Sequence, residues 1–203
     1  MAVAGVILAG GRSARMGSPK ALLDFRGAPF VVRIVEVLEV LEVRPRIVVV
    51  GPGDAGARAA LAGRECSVVE NADVDGGPIA SLRVALQALG PVQPAGMLAW
   101  PVDLPHVRLT TVERLLDTYR QDRPGVVVPA FGERRGHPVL WDASLFGELR
   151  DSAAATRAGA RAVLRAHPAA VRTVPVDDPA VVDSLNTPED YERLVRNVNR
   201  DIY

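Results

Sequence analysis

The chain has 203 residues, 48% of them hydrophobic and 24% charged, so a sizeable core is expected and wholesale disorder is not. Its 24 basic residues balance 24 acidic ones, which argues against binding of nucleic acid or a membrane surface through bulk charge. A single cysteine, Cys66, leaves no pair for a disulfide within this sequence and suits a reducing, cytoplasmic setting. No apolar run approaches the ~18 residues of a membrane helix, and the apolar start lacks the basic flank of a signal peptide. We expect residues 1–203 to form one domain.

Short apolar runs alternate with helix-length segments along the chain. In order they predict a strand at residues 3–8, a helix at 30–43, a strand at 46–50, a helix from a cap at Asp54 to about 62, and a strand at 66–69. A helix at 79–89, a strand at 96–100 and a helix at 109–120 follow, then strands at 125–128 and 138–141. The last elements are helices at 144–150 and 157–167, a strand at 171–176 and a helix that starts at Thr187-Pro188.

This alternation predicts an α/β fold with three layers, in which helices cover both faces of a mainly parallel sheet. Residues 129–155 break the alternation, so we expect an inserted hairpin or a lid there. In open sheets of this kind, ligands bind outside the carboxyl ends of the strands. The loops after the strands are therefore the places where a functional site is expected.

Glycines and cationic side chains are concentrated in the loop after the first strand. Within eleven residues lie Gly10, Gly11, Arg12, Arg15, Gly17 and Lys20. Glycines let a backbone approach a ligand closely, and the three cations suit a polyphosphate. Lys20 is the only lysine beside 23 arginines. Its ammonium is a compact, mobile point charge, which the planar guanidinium of arginine cannot reproduce. The loop is predicted to bind phosphates.

The spacing in this loop excludes the two commonest phosphate motifs. A P-loop requires Gly-Lys-Ser/Thr, whereas Lys20 follows Pro19, and the Gly-x-Gly-x-x-Gly of dinucleotide-binding folds is absent. A nicotinamide-dependent dehydrogenase remains a rival interpretation because it shares the fold class. Its ribose-binding acidic residue, expected ~20 residues after the glycines, would have to be Glu36, inside a helix.

The run from Leu8 to Lys20 closely resembles the opening signature of the MobA-like nucleotidyltransferases, and later segments extend the resemblance over nearly the whole chain. It implies a Rossmann-like nucleotidyltransferase fold. It also implies that the loop binds a nucleotide through Leu8, Ala9, Gly10, Gly11, Arg12, Ser13, Arg15, Met16, Gly17 and Lys20. Lys20 would steady the α-phosphate, while Arg12 and Arg15 would hold the β- and γ-phosphates.

Two further segments match donor and metal positions of this family. Gly77, Pro78 and Ser81 open a helix that the resemblance places near the base and ribose. Asp103, in Asp-Leu-Pro at a strand end, corresponds to the family's Mg²⁺ ligand. Relatives commonly carry an Asp where this chain has Asn186, so the second protein ligand would be a weaker, neutral oxygen.

The segment Gly136-His137-Pro138 resembles the acceptor-side loop of the family, so His137 is a candidate for contact with the acceptor substrate. Arg134 and Arg135 precede it and could bind the acceptor's phosphate or face solvent.

The function implied is transfer of a nucleotide from a nucleoside triphosphate to a phosphorylated acceptor, with Mg²⁺ and release of pyrophosphate. In the family that the chain resembles, Leu-Ala-Gly-Gly and the Gly77-Pro78 turn are associated with GTP, whereas Gly-His-Pro is associated with CTP. Molybdopterin is the family's usual acceptor, and a sugar phosphate or other phosphorylated metabolite is the alternative. A non-catalytic accessory protein that binds the cofactor for a molybdoenzyme, or for its chaperone, is a further alternative.

Overall fold

The computed structural model of the chain describes residues 2–11, 15–90 and 94–200, the last three as backbone only. The strands in these ranges are β1 (Val3–Ala9), β2 (Asp24–Phe25), β3 (Ala28–Pro29), β4 (Arg46–Val50), β5 (Ser67–Glu70), β6 (Gly96–Pro101), β7 (Val126–Phe131), β8 (Arg134–Arg135), β9 (Val139–Asp142) and β10 (Val171–Pro175). The α-helices there are α1 (Phe30–Val40), α2 (Ala55–Ala60), α3 (Gly77–Ala88), α4 (Leu109–Asp122), α5 (Phe146–Asp151), α6 (Ala153–Ala158), α7 (Arg161–Ala166) and α8 (Pro188–Arg200). No described helix is long and apolar enough to cross a membrane.

The central sheet has the strand order β10-β7-β9-β6-β1-β4-β5, with β8 paired to β7 at one end. The pairs β1–β4, β1–β6, β4–β5 and β7–β10 are parallel, whereas β9 runs antiparallel to both of its neighbours. The predicted α/β fold with a mainly parallel sheet is confirmed.

Side chains alternate between the two faces of the sheet and thereby build two cores. On β4, Val48 and Val50 join a cluster with α1, α4 and α8, whereas Ile47 and Val49 join one with α3, α5 and α7. Such strands are apolar at nearly every position because helices bury both of their faces. The three-layer arrangement follows from that double burial.

The break in alternation at residues 129–155 is a hairpin that has become part of the sheet. The chain turns after β7, and β9 then inserts between β6 and β7. The predicted hairpin is therefore present, but its second strand lies inside the sheet and is not a lid. His137 donates its backbone N–H to Val181 at 2.8 Å, which fixes the turn between β8 and β9.

The prediction of a single helix at residues 157–167 is wrong in one respect, because the structure has two short helices, α6 and α7, in this region. Gly159 lies between α6 and α7 with φ +69°, a left-handed conformation that glycine adopts without steric cost. An alanine-rich pattern shows no such break, since alanine itself favours helix throughout. The break turns Arg161 towards the cavity described below.

The backbone of Gly136 in the hairpin lies so close to the carbonyl of Val181 that a larger residue should destabilise the protein. A Cβ on Gly136 would overlap the carbonyl of Val181, so Gly136→Ala should destabilise the protein by about 1–3 kcal/mol through overpacking. Gly147→Ala in α5 is the matched control, because a Cβ there meets nothing within 4 Å. Urea unfolding of both variants measures the difference. Equal stability of Gly136→Ala and the wild type would contradict the packing described here.

Candidate active site

Three polar side chains from distant parts of the chain meet at the carboxyl edge of the sheet. The ammonium Nζ of Lys20 donates a hydrogen bond to Oδ1 of Asn186 at 2.8 Å and lies 3.5 Å from Oδ2 of Asp103. The other carboxylate oxygen of Asp103, Oδ1, is buried and accepts no hydrogen bond from the described part of the chain. The structure thus brings together the lysine and both predicted metal ligands.

Backbone contacts hold this group in position. Asp103 follows β6, whose last paired residues lie level with the end of β1. The backbone carbonyl of Asp103 accepts a hydrogen bond from the N–H of Leu185 at 3.0 Å. That bond joins the loop after β6 to the segment that carries Asn186. Lys20 begins a 3₁₀ turn, Lys20–Leu22, at the far end of the glycine-rich loop.

The start of α8 fixes Asn186. Oδ2 of Asp190 accepts the backbone N–H groups of Asn186 and Thr187, each at 3.0 Å, and Thr187 Oγ1 accepts the Asp190 N–H in return. These bonds, the one from Asn186 first, lower the pKa of Asp190 to about 2, so the cap stays ionised at neutral pH. Asp183, three residues before Asn186, accepts a hydrogen bond from Arg193 at 2.7 Å. The helix start predicted at Thr187-Pro188 is confirmed.

The glycine-rich loop leaves β1 through a narrow gap. A Cβ on Gly10 would lie 3.3 Å from Ser81 Oγ and 3.5 Å from the carbonyl carbon of Val50, so little room exists for a side chain. Ser81 accepts a hydrogen bond from Asn71 Nδ2 at 3.1 Å. Gly77 has φ +66° at the start of α3, where Pro78 follows it. The loop and the helix start therefore line the same opening.

Two cavities share this opening. The first, about 600 Å³, is lined by eleven of the predicted site residues: Leu8, Ala9, Gly10, Gly11, Lys20, Gly77, Pro78, Ser81, Asp103, Arg135 and His137. The second, about 710 Å³, lies beside Gly17–Leu22 and the turn at residues 51–56. Both are bordered by Gly10, Gly11 and Lys20, so Lys20 stands where they meet.

His137 lies in the first cavity as a largely buried side chain. Burial lowers its pKa, Asp103 opposes that effect, and Arg161 adds to it. The neutral imidazole is therefore favoured at pH 7, and its Nδ1 has no partner within the described residues. Arg135 on β8 is exposed, whereas Arg134 donates to the carbonyl of Val182 at 3.3 Å.

Some predicted site residues border only one of the two cavities or neither. Met16 is buried, Arg15 is exposed, and neither lines them. Gly17 borders only the second cavity. Arg12 and Ser13 lie outside the described residues, so their predicted phosphate contacts stay predictions.

Two parts of the cavity wall were not found from the sequence. Asn71 directly follows β5, is buried, and joins Asp73 and Ser81 through its amide. Its position after a strand was the available signal. The turn at residues 158–161 also lines the cavity, and Arg161 carries no sequence pattern that separates it from 22 other arginines.

The donor set at Asp103 and Asn186 fits a hard divalent cation. A carboxylate and an amide oxygen already converge on one positive group, the ammonium of Lys20, and carboxylate and carbonyl oxygens are the ligands that Mg²⁺ takes. Among the described residues, no group of three or more His, Cys, Asp or Glu side chains could hold a metal ion. A cation here would take its remaining ligands from phosphates and water.

Comparison with known proteins agrees with this geometry. The family described as "MobA-like NTP transferase domain" matches residues 5–171, most of the chain. The chain belongs to this family. It is thus a member of a nucleotidyltransferase family, as the loop signature predicted.

Two relatives of this MobA-like chain have names that state different functions. Nicotine blue oxidoreductase of Paenarthrobacter nicotinovorans is 34% identical over 205 residues, covering 95% of this chain and 96% of that protein. A probable molybdenum cofactor guanylyltransferase of Opitutus terrae is 28% identical over 195 residues, covering 95% and 94%. Family membership therefore leaves the substrate open.

A solved structure is similar over the full MobA-like fold. Rv0371c of Mycobacterium tuberculosis superposes with a TM-score of 0.81 at 30% identity, covering 97% of this chain and 98% of that one. A second crystal structure of Rv0371c is a complex with manganese, at 27% identity and a TM-score of 0.74, covering 97% and 99%. Manganese thus binds a protein of the same fold.

The position of the Lys20 ammonium gives a prediction about the chemical step. Lys20→Arg keeps the charge, but a planar guanidinium cannot replace one compact donor in a narrow loop. We expect kcat of nucleotidyl transfer to fall ~10²-fold with only a modest change in the KM for NTP, because misplacement by about 1 Å costs that much. Lys20→Ala should lose more.

Steady-state kinetics of both variants separate kcat from KM. If Lys20→Arg kept the wild-type kcat, the lysine would supply only general positive potential.

Proposed function

We propose that the chain is one nucleotidyltransferase domain that transfers a nucleoside monophosphate from GTP or CTP to molybdopterin and releases pyrophosphate. The observation that carries this proposal is the Lys20 ammonium, held between Asp103 and Asn186 where the two cavities meet. A triphosphate that crosses this point would bring its α-phosphate to the lysine and to both oxygen ligands.

The reaction needs little acid–base chemistry from the protein. An oxygen of the acceptor phosphate attacks the α-phosphorus, the bond from that phosphorus to the bridging oxygen breaks, and pyrophosphate leaves with the electron pair. Since the acceptor phosphate is already ionised near pH 7, no strong general base is required. Positioning and charge stabilisation supply the rate enhancement.

Each cationic and acidic residue then has one task. Lys20 would leave Asn186 and donate to an α-phosphate oxygen as negative charge develops there. Arg12 and Arg15 would bind the β- and γ-phosphates. Asp103 and Asn186 would hold Mg²⁺, which neutralises phosphate charge when bound.

The walls of the first cavity favour a flat heterocyclic acceptor over a sugar. Many of its lining side chains are apolar, among them Val74, Val102, Val128, Val139, Trp141 and Leu164. A sugar phosphate exposes hydroxyl groups that need hydrogen-bond partners, and leaving them unpaired costs affinity. A pterin ring buries favourably against such walls, with His137 able to hydrogen-bond its edge.

The direct test is product analysis by mass spectrometry. The protein is incubated with Mg²⁺, molybdopterin and each of the four NTPs in turn, and the proposal predicts a molybdopterin dinucleotide with GTP or CTP. A parallel incubation with sugar phosphates tests the alternative acceptor class. Absence of any nucleotidylated product from all combinations would reject the proposal.

Removal of the negative charge of Asp103 should lower activity without lowering the stability of the fold. Asp103→Asn should lower kcat by at least ~10²-fold and weaken metal dependence, while the urea midpoint stays near the wild type. Asp117→Asn is a suitable control, because Asp117 is an exposed residue of α4 paired only with Arg120 among described residues. Kinetics over a Mg²⁺ titration give the readout. Wild-type kinetics in Asp103→Asn would exclude this residue as the ligand.

An oxidoreductase is a second candidate, favoured by the 34% identity to nicotine blue oxidoreductase. The position of Glu36, the acidic residue that a dinucleotide site would use, argues against an oxidoreductase. Glu36 lies in α1 and forms ion pairs with Arg33 at 2.8 Å and with Arg64 at 2.9 Å. Titration with NADH and NADPH, followed by their fluorescence, distinguishes the two. Tight, saturable binding of either would support this candidate.

A further inference from the structure

One wall of the first cavity is built by the turn between α6 and α7. Residues 158–161 and Leu164 line the first cavity and do not border the second. Burial is the main cause of the lowered pKa of His137, and the charge of Arg161 adds to it, so the turn lies near that imidazole. The turn therefore stands on the side of the predicted acceptor contact, whereas Lys20 stands where the two cavities meet.

The helix that leads into this turn has little apolar packing of its own. Of the six described residues of α6, five are exposed and only Ala155 is buried. A buried alanine removes one methyl group from water, and a helix of this length is not stable through its own hydrogen bonds. The position of α6 therefore depends on polar contacts with neighbouring elements.

Arg83 of α3 supplies such contacts. Its Nε donates a hydrogen bond to the carbonyl of Leu149 at 3.2 Å. Its Nη2 donates to the carbonyl of Ser152 at 3.3 Å and to Oγ1 of Thr156 at 2.8 Å. Leu149 lies in the last turn of α5 and Ser152 is the N-cap of α6, so one guanidinium spans the joint between the two helices. Hydrogen bonds from a charged donor are stronger than those between neutral groups.

The helix that carries Arg83 is itself fixed at the opening of the site. Six residues of α3 are buried against the sheet and its neighbours: Ile79, Ala80, Ser81, Leu82, Ala85 and Leu86. Ser81 also accepts a hydrogen bond from the amide of Asn71, and Leu82, next to Arg83, lines the first cavity. Arg83 therefore ties α6 to the helix whose start lies at the predicted nucleotide site.

We propose that Arg83 is a positioning residue that holds the α6–α7 turn in place as a wall of the first cavity and so sets the affinity for the acceptor substrate. Arg83 lines neither cavity, so it acts through its contacts with Ser152 and Thr156 rather than by touching a ligand. The inference rests on the proposed transfer function for the identity of the substrate, whereas the attachment of α6 does not depend on turnover.

The first readout is hydrogen–deuterium exchange of the full chain without ligands, followed by mass spectrometry. Arg83→Met keeps an apolar stem and removes every donor of the guanidinium. The amides of α6 should exchange roughly tenfold faster in this variant, since one charge-assisted hydrogen bond is worth about that factor. The strands β1 and β6 are the internal reference, and their exchange should change less. Arg83→Lys keeps the charge and part of the bonding, so it should lie between the two.

The second readout is steady-state kinetics of nucleotidyl transfer. Arg83→Met should raise the KM for the acceptor roughly tenfold and leave the KM for NTP near the wild type, and Arg83→Lys should recover part of the loss. Arg64→Met is the matched control. Arg64 is also half-buried and pairs with Glu36 and Glu39 of α1 at 2.9 and 3.0 Å, in the helix layer opposite to α3. It should keep both KM values and the wild-type exchange of α6.

Each part of the inference fails on its own result. Unchanged exchange of α6 in Arg83→Met, or equal acceleration in α6, β1 and β6, would overturn the attachment of α6 by Arg83. If Arg83→Met did not fold, Arg83→Lys would give the same local comparison. Faster exchange of α6 with a wild-type KM for the acceptor, or with an equal rise in both KM values, would overturn the role in acceptor binding.

The proposed function fails in a different way. If α6 loosens in Arg83→Met but the wild-type protein transfers no nucleotide to any acceptor, the attachment of α6 stands, and the transfer function falls together with the role of Arg83 in acceptor binding. If transfer occurs and Arg83→Met leaves the acceptor KM unchanged, the function stands and the inference falls.

Discussion

The site depends on one ammonium group held between two oxygens. Lys20 and Asn186 are 166 positions apart in the sequence, yet Nζ and Oδ1 lie 2.8 Å apart. Asp103 completes the contact from a third segment at 3.5 Å. This contact exists only when the ends of β1 and β6 and the start of α8 are all in place, so it reports on the assembly of the whole carboxyl edge.

The same contact balances the charge of Asp103 within the protein. Oδ1 of Asp103 is buried, and a partly buried carboxylate is stabilised by a nearby cation, which Lys20 supplies. In our proposal, nucleotide binding exchanges these partners: the lysine moves to the α-phosphate and the two oxygens receive a divalent cation. The ionised carboxylate of Asp190, which accepts the backbone N–H of Asn186, would keep Asn186 in position during that exchange.

The sequence predicted the sheet well because buried parallel strands are apolar at nearly every position, as in Arg46–Val50. It also predicted that the glycine-rich loop and Asp103 lie at the carboxyl edge of the sheet, because both directly follow strands of a mainly parallel sheet. It missed the break at Gly159, because an alanine-rich segment favours helix on both sides of the glycine. Asn71 and Arg161 were missed because their places on the cavity wall come from the packing of distant segments rather than from local spacing.

The exchange of partners at Lys20 can be observed directly. The most direct measurement is a crystal structure with Mn²⁺ and a non-hydrolysable NTP, in which anomalous scattering locates the metal. Our account predicts a manganese peak coordinated by Asp103 and Asn186, with Nζ of Lys20 hydrogen-bonded to the α-phosphate. A nucleotide bound elsewhere, or bound here while Lys20 still contacts Asn186 and no metal lies at Asp103, would contradict it.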